Sequence, residues 1–140
     1  MVCLPDLMPT LLDIAGLPVP ERVLAPSLMP LIEGQAEKVN DLVITSAPFE
    51  ERGGVTKTVD DQKREAMEVS PSTITDGVWD LLYSVQGDPV ELYDRIRDPG
   101  HLHNLYLQQI EIAQALHARF VEWMEKLGVA EKELAPRRKL

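Results

Sequence analysis

The sequence predicts an α+β fold in which a small antiparallel sheet packs against a long C-terminal helix. Apolar side chains alternate through residues 77–85, a Gln-Gly-Asp-Pro turn follows, and residues 90–93 return as a partner strand. Apolar residues then recur at helical spacing from Leu102 to Leu127, where Gly128 ends the run. The apolar face predicted for this helix contains Leu105, Ile112, Leu116, Phe120, Trp123 and Leu127.

Two short helices are predicted before the sheet. In the first, Asp6 is the expected N-cap, Pro9 lies in the first turn, and Gly16 stops the helix. Residues 27–34 repeat this order, with Ser27 as the expected capping residue. In the first helix, Leu7, Leu11, Leu12 and Ile14 form an apolar stripe.

The other segments are assigned from composition. Residues 42–45 form a β-branched run, which predicts a buried strand, and residues 66–69 and 72–75 are candidate strands. Residues 50–65 are charged and polar, which predicts an exposed loop. Residues 129–140 form a mostly charged tail that is expected to fray.

Charge and length limit the classes of partner. The chain has 140 residues, enough for one ordinary domain, and a formal net charge of -9. It lacks the basic face that nucleic acids and anionic membranes require, so neither is an expected partner. No apolar run approaches the ~18 residues of a membrane span. Cys3 is the single cysteine, which excludes an internal disulfide.

The histidines are the first candidates for metal ligands. His101 and His103 lie at the predicted start of the long helix, where their spacing splays the two side chains. His117 lies several turns further along. A zinc site needs at least three protein ligands close together, so these residues predict polar helix positions and no metal site.

Four acidic residues cluster around the hairpin, namely Asp88, Glu91, Asp94 and Asp98. A calcium loop of the EF-hand type needs oxygen ligands at fixed offsets, a central glycine and a closing glutamate, and that pattern is absent from the sequence. Asp94 and Asp98 are instead expected to cap turns through hydrogen bonds to the backbone.

Two tryptophans remain. Trp79 on the first hairpin strand and Trp123 on the long helix are expected to pack on each other in the core. Stacking of one of them on a sugar ring is the alternative. No Gly-x-Ser-x-Gly elbow occurs, so no serine nucleophile is expected.

Two motifs resemble a known family. Residues 91–105 read E-L-Y-D-R-I-R-D-P-G-H-L-H-N-L. They resemble the E-L-Y-D-L-x-x-D-P-x-E-x-x-N-L signature near the C-terminus of sulfatases, in the alkaline-phosphatase-like superfamily. Residues 6–18 read D-L-M-P-T-L-L-D-I-A-G-L-P and are similar to D-L-x-P-T-L-L-D-L-A-G-x-P of the same family. The chain departs from the pattern at Ala25-Pro26, where a glycine usually precedes the serine, and near Asp80, where a lysine is usual.

The resemblance implies a domain organisation. Residues 1–36 correspond to the terminal helices of an α/β catalytic domain, residues 37–128 to a C-terminal subdomain of sheet plus helix, and residues 129–140 to a charged tail. The family uses a formylglycine, made from the Cys or Ser of a C/S-x-P-x-R motif, and calcium. Both are expected in the upstream catalytic domain, so no catalytic, cofactor-binding or metal-binding residue is expected in this chain.

Cys3 does begin a Cys-x-Pro sequence, but the serine and arginine of the motif do not follow it. The resemblance therefore implies the C-terminal portion of a sulfuric ester hydrolase that is inactive alone. Its expected partners are the upstream catalytic domain and, through exposed apolar helices, further copies of itself. The alternatives are a related phosphonate or phosphate ester hydrolase and a free-standing protein-interaction module.

Overall fold

The computed structural model describes residues 1–46, 72–85 and 88–140, which divide into two compact units at residues 43 and 44. The loop expected at 50–65, the candidate strand at 66–69 and residues 86–87 of the hairpin turn lie outside the described residues.

The first unit contains short helices. A 3-10 turn at Leu4–Asp6 leads directly into helix α1, Leu7–Ile14, and helix α2 spans Met29–Ile32. Gly16 has φ +66 and Gly34 has φ +69, the left-handed conformation that ends a helix, as predicted.

The predicted cap at Asp6 is wrong in its detail. Asp6 occupies the N-cap position of α1, but its side chain makes no capping bond, because the preceding 3-10 turn is already helical there. Its buried carboxylate instead accepts hydrogen bonds from the Cys3 backbone N–H at 2.8 Å and from Asn40 Nδ2 at 2.8 Å. Asp6 therefore connects the start of the chain and Asn40 within the first unit.

Thr10 links the two helices. Its hydroxyl donates to the Asp6 carbonyl at 2.6 Å and accepts the Leu28 N–H at 2.8 Å. Ser27 Oγ accepts the Met29 N–H at 3.2 Å, but Leu28 occupies the N-cap position of α2, so the predicted cap at Ser27 is displaced by one residue. The bond between Leu28 and Thr10 joins the start of α2 to α1.

The second unit contains the sheet. Its strands are β1, Val43–Ser46, β2, Ser72–Thr75, β3, Trp79–Tyr83, and β4, Glu91–Asp94, in the order β1-β2-β3-β4. Antiparallel pairing of β2 with β3 sets Ser72 opposite Tyr83, and pairing of β3 with β4 sets Leu82 opposite Glu91. The predicted hairpin and the α+β class are confirmed.

Helix α3 spans Ile110–Lys126, so the predicted start at Leu102 is wrong. The segment before it lies along β4, where the Leu105 N–H donates to the Leu92 carbonyl at 2.8 Å and the Leu92 N–H donates to Asn104 Oδ1 at 3.1 Å. These bonds to the sheet compete with helical ones, and the helix begins after them. The core between sheet and helix is formed by Ile74, Leu81, Leu92, Ala113, Leu116, Phe120 and Met124.

The expected tryptophan pair is also wrong. Trp123 is 39% exposed, and Trp79 is half-buried. The buried face of α3 instead runs through His117, Phe120 and Met124. Trp123 is adjacent to that face on the helical wheel, so the apolar pattern was compatible with both orientations.

The segment after Gly128 does not fray as expected. Helix α4 spans Glu131–Leu134, and a 3-10 turn follows at Ala135–Arg138. Leu134 is 3% exposed and Arg137 is 2% exposed. The guanidinium of Arg137 donates to the Glu133 carbonyl, which satisfies part of its buried charge.

Candidate functional site: the polar cluster around the β4 turn

The turn after β4 is built by aspartate side chains. Asp94 is buried at the end of β4, and its Oδ1 accepts the Ile96 N–H at 3.0 Å and the Arg97 N–H at 2.9 Å. Asp98 Oδ2 accepts the His103 N–H at 2.8 Å. Both aspartates therefore cap turns, as the sequence predicted.

Hydrogen bonds around this turn also shift the pKa values of Asp98 and Tyr93. Backbone hydrogen bonds from Leu102 and His103 lower the pKa of Asp98, because they favour its charged form. At the start of β4, Glu91 Oε2 accepts the Tyr93 hydroxyl at 2.9 Å, and this bond raises the pKa of Tyr93. Glu91, Asp94 and Asp98 thus accept hydrogen bonds from groups of the protein itself.

A buried carboxylate and an imidazole meet at the centre of this cluster. Asp80 on β3 is 4% exposed, and its Oδ2 lies 2.9 Å from His101 Nε2. The His101 ring stacks on Tyr93 with 4.5 Å between centroids and 5° between planes. Arg95 Nη1 lies 3.6 Å from Asp80 Oδ1. Asp80 therefore has two basic partners.

The backbone of His101 is in a strained conformation. Its φ is 51°, in the left-handed region, which costs a non-glycine residue about 1–2 kcal/mol of conformational free energy. Hydrogen bonding to Asp80 and stacking on Tyr93 offset this strain and hold one ring orientation. An imidazole oriented by a carboxylate is suited to accept, donate or relay a proton.

Sequence reasoning missed this pair. His101 was expected at a helix start, whereas it lies in the turn and contacts a residue far away in the sequence. The available signal was Asp80 itself, a carboxylate in the middle of an alternating strand, which requires a partner if buried.

The three histidines lie in different surroundings. His103 Nδ1 lies 3.5 Å from Asp98 Oδ2 and His117 is on α3, while His101 faces Asp80. Among the residues that the structure describes, no group of three or more His, Cys, Asp or Glu side chains could hold a metal ion.

The surroundings of Cys3 favour its neutral thiol form. Its Sγ lies 3.2 Å from Asp6 Oδ1, to which it donates a hydrogen bond. Burial, followed by the hydrogen bond to Asp6 and the charge of its carboxylate, raises the pKa of the Cys3 thiol. Because the thiolate is the nucleophilic form, these surroundings disfavour reaction at Cys3.

A cavity of about 470 Å³ opens at one end of the sheet in the second unit. Hydroxyl side chains of β1 and β2 line it together with the carboxylates Asp88 and Glu91. Two of the hydroxyls, Ser46 Oγ and Ser72 Oγ, lie 2.9 Å apart. The described part of the lining contains no Lys or Arg.

Comparison with known proteins shows that this chain is similar to part of a longer protein. The chain is 31% identical, over 101 residues, to a delta 4,5-hexuronate-2-O-sulfatase from Bacteroides thetaiotaomicron. That match covers 71% of this chain but 18% of the relative, so the chain spans less than a fifth of the relative's length. No protein-family model matches.

Solved structures share the fold. A protein designated a sulfatase from Bacteroides fragilis superposes with a TM-score of 0.70 at 20% identity, covering 96% of this chain and 26% of that one. A 2-O GAG sulfatase gives 0.66 at 20% identity, over 95% of this chain and 28% of that chain. A phosphonate monoester hydrolase from Silicibacter pomeroyi gives 0.57 at 23% identity, over 86% and 24%.

By its fold, then, the chain is an α+β module of the kind found within larger hydrolases. It is a sulfatase homologue and represents a partial, C-terminal-like region of that family. No helix in the described part of the chain is long and apolar enough to cross a membrane.

Proposed function

We propose that this chain forms the C-terminal portion of a sulfuric ester hydrolase and is inactive by itself. The observation that carries the proposal is the 31% identity to a hexuronate sulfatase of which this chain matches only 18%. The catalytic machinery of such an enzyme then lies in polypeptide outside this chain. The test is an assay of the chain alone against aryl sulfates, in which no turnover is expected.

Within this proposal, residues 1–36 are the terminal helices of the catalytic domain and residues 37–128 form the C-terminal subdomain, with 129–140 as its tail. The compact second unit, 44–140, supports an independently folded sheet and helix. The motif in residues 91–105 builds the turn that joins the hairpin to α3.

Calcium and formylglycine belong to the upstream domain in this proposal. The described residues of this chain do not fit either group. Asp80, Asp94 and Asp98 are engaged with His101, Arg95 and backbone N–H groups, and Cys3 lacks the arginine of the formylglycine motif.

Exposed apolar residues on α1 support an upstream partner. Leu11 is 64% exposed, Ile14 is 63% exposed and Leu7 is 48% exposed. Leucine and isoleucine side chains presented together on a short helix are an expected contact surface for a larger domain. In the absence of that domain, the same surface favours association between copies of this chain.

Two other functions remain candidates. The fold shared with a phosphonate monoester hydrolase favours a related ester hydrolase, which would be distinguished by testing aryl phosphonates and aryl phosphates beside the sulfates. The 39% exposure of Trp123 favours a free-standing interaction module, because an exposed tryptophan is a common anchor at protein interfaces.

A further inference from the structure

The C-terminal segment 131–139, here called the C-terminal strap, is fastened to the second unit by polar bonds. The Tyr83 hydroxyl on β3 donates to the Lys139 carbonyl at 2.9 Å. Arg138 Nη2 lies 3.2 Å from Glu131 Oε2, and its Nη1 contacts Glu125 on α3. The strap therefore joins sheet, helix and chain end.

His117 lies beneath the strap. Its side chain belongs to the buried face of α3 and is 5% exposed. The ring meets the Tyr83 ring edge-on with 4.9 Å between centroids, and it hydrogen-bonds the Arg137 backbone. His117 Nε2 has no hydrogen-bond partner among the described residues. A neutral imidazole suits this site, because an unpaired acceptor nitrogen costs far less than an unpaired cation.

The surroundings already contain one buried cation. Beside His117 lie the titratable Tyr83 ring from β3 and the backbone of Arg137 from the strap. The Arg137 side chain pairs with Glu133. Arg137 is 2% exposed, and its Nη1 lies 3.5 Å from Glu133 Oε2. A proton on His117 Nε2 would place a positive charge in a buried site where no described group accepts a hydrogen bond from it.

We propose that the C-terminal strap is a protonation-sensitive clasp, which closes over neutral His117 at neutral pH and detaches from α3 and β3 when His117 is protonated. Burial lowers the pKa of His117, and the hydrogen bond to the Arg137 backbone opposes this only in part. When the strap is open, the pKa of the His117 ring returns to the ordinary histidine value of 6.5. The open state therefore binds more protons, and closure weakens as the pH falls below that value.

Hydrogen exchange of the intact chain tests the proposal. Exchange rates corrected for intrinsic chemistry give protection factors for the strap and for the Leu92 region of the sheet between pH 7.5 and 5. Strap protection should fall by up to about tenfold per pH unit below the ordinary histidine value, while the sheet keeps its protection. The variant His117→Phe should abolish this pH dependence, and the exposed-residue control His103→Gln should retain it.

Strap protection that does not change with pH, or changes equally in His117→Phe, would overturn the proposal. If His117→Phe fails to fold, nuclear magnetic resonance of the natural chain decides the question. The ring signals of His117 and the methyl signals of Leu134 should then shift with one common midpoint. Titration of His117 without any change at Leu134 would refute the clasp.

Discussion

Asp80 and His101 are the residues whose roles depend most on tertiary structure. Asp80 is almost fully buried and has two basic partners, and His101 accepts a left-handed backbone to reach it. The sequence predicted the turn-capping roles of Asp94 and Asp98, because their hydrogen bonds are local in sequence. The contact between Asp80 and His101 could not be predicted, because nothing in a single sequence links two positions that meet only in the folded structure.

The variant His101→Ala should lower the free energy of unfolding by about 1–3 kcal/mol, the range for losing a hydrogen bond to a charged, buried group. Asp80 would keep Arg95 alone, at a distance of 3.6 Å. The matched control His103→Ala should cost less than about 0.5 kcal/mol, because its side chain is 77% exposed. Urea denaturation measures both, and equal losses would argue against a structural role for the Asp80–His101 pair.

At the scale of elements, the hairpin was predictable and the helix only in part. Alternation in β3 determines which side chains face α3, so the strand and its partner followed from the pattern. The start of α3 could not be predicted from the pattern, because Asn104 hydrogen-bonds to β4 instead of continuing a helix. The orientation of α3 was ambiguous, since His117 and Met124 compete with Trp123 for the buried face.

This orientation predicts a contrast between two aromatic residues of α3. Phe120→Ala should cost about 3–5 kcal/mol, as expected for a fully buried aromatic side chain. Trp123→Ala should cost about 1–2 kcal/mol, because much of its ring stays in water. Thermal or urea unfolding of the two variants gives the comparison. A larger loss at Trp123 than at Phe120 would show that the helix packs in the other orientation.

At the scale of the whole molecule, the exposed face of α1 carries the proposal of a missing partner. Light scattering of the purified chain should give a mass that rises with concentration, and Leu11→Glu should shift it toward the monomer. Leu107→Glu is the control, since Leu107 is 82% exposed and lies outside α1. A constant monomer mass for the natural chain, or equal effects of the two substitutions, would count against association through α1.

The central claim is that this chain is part of a sulfatase whose reacting groups lie elsewhere. The most direct measurement is hydrolysis of an aryl sulfate, an aryl phosphate and an aryl phosphonate by the purified chain, each with and without added calcium. We predict rates equal to those of the buffer blank in all six assays, since the chain matches only 18% of its sulfatase relative and the surroundings of Cys3 raise its thiol pKa. Turnover well above the blank that disappears in Cys3→Ala would contradict the account.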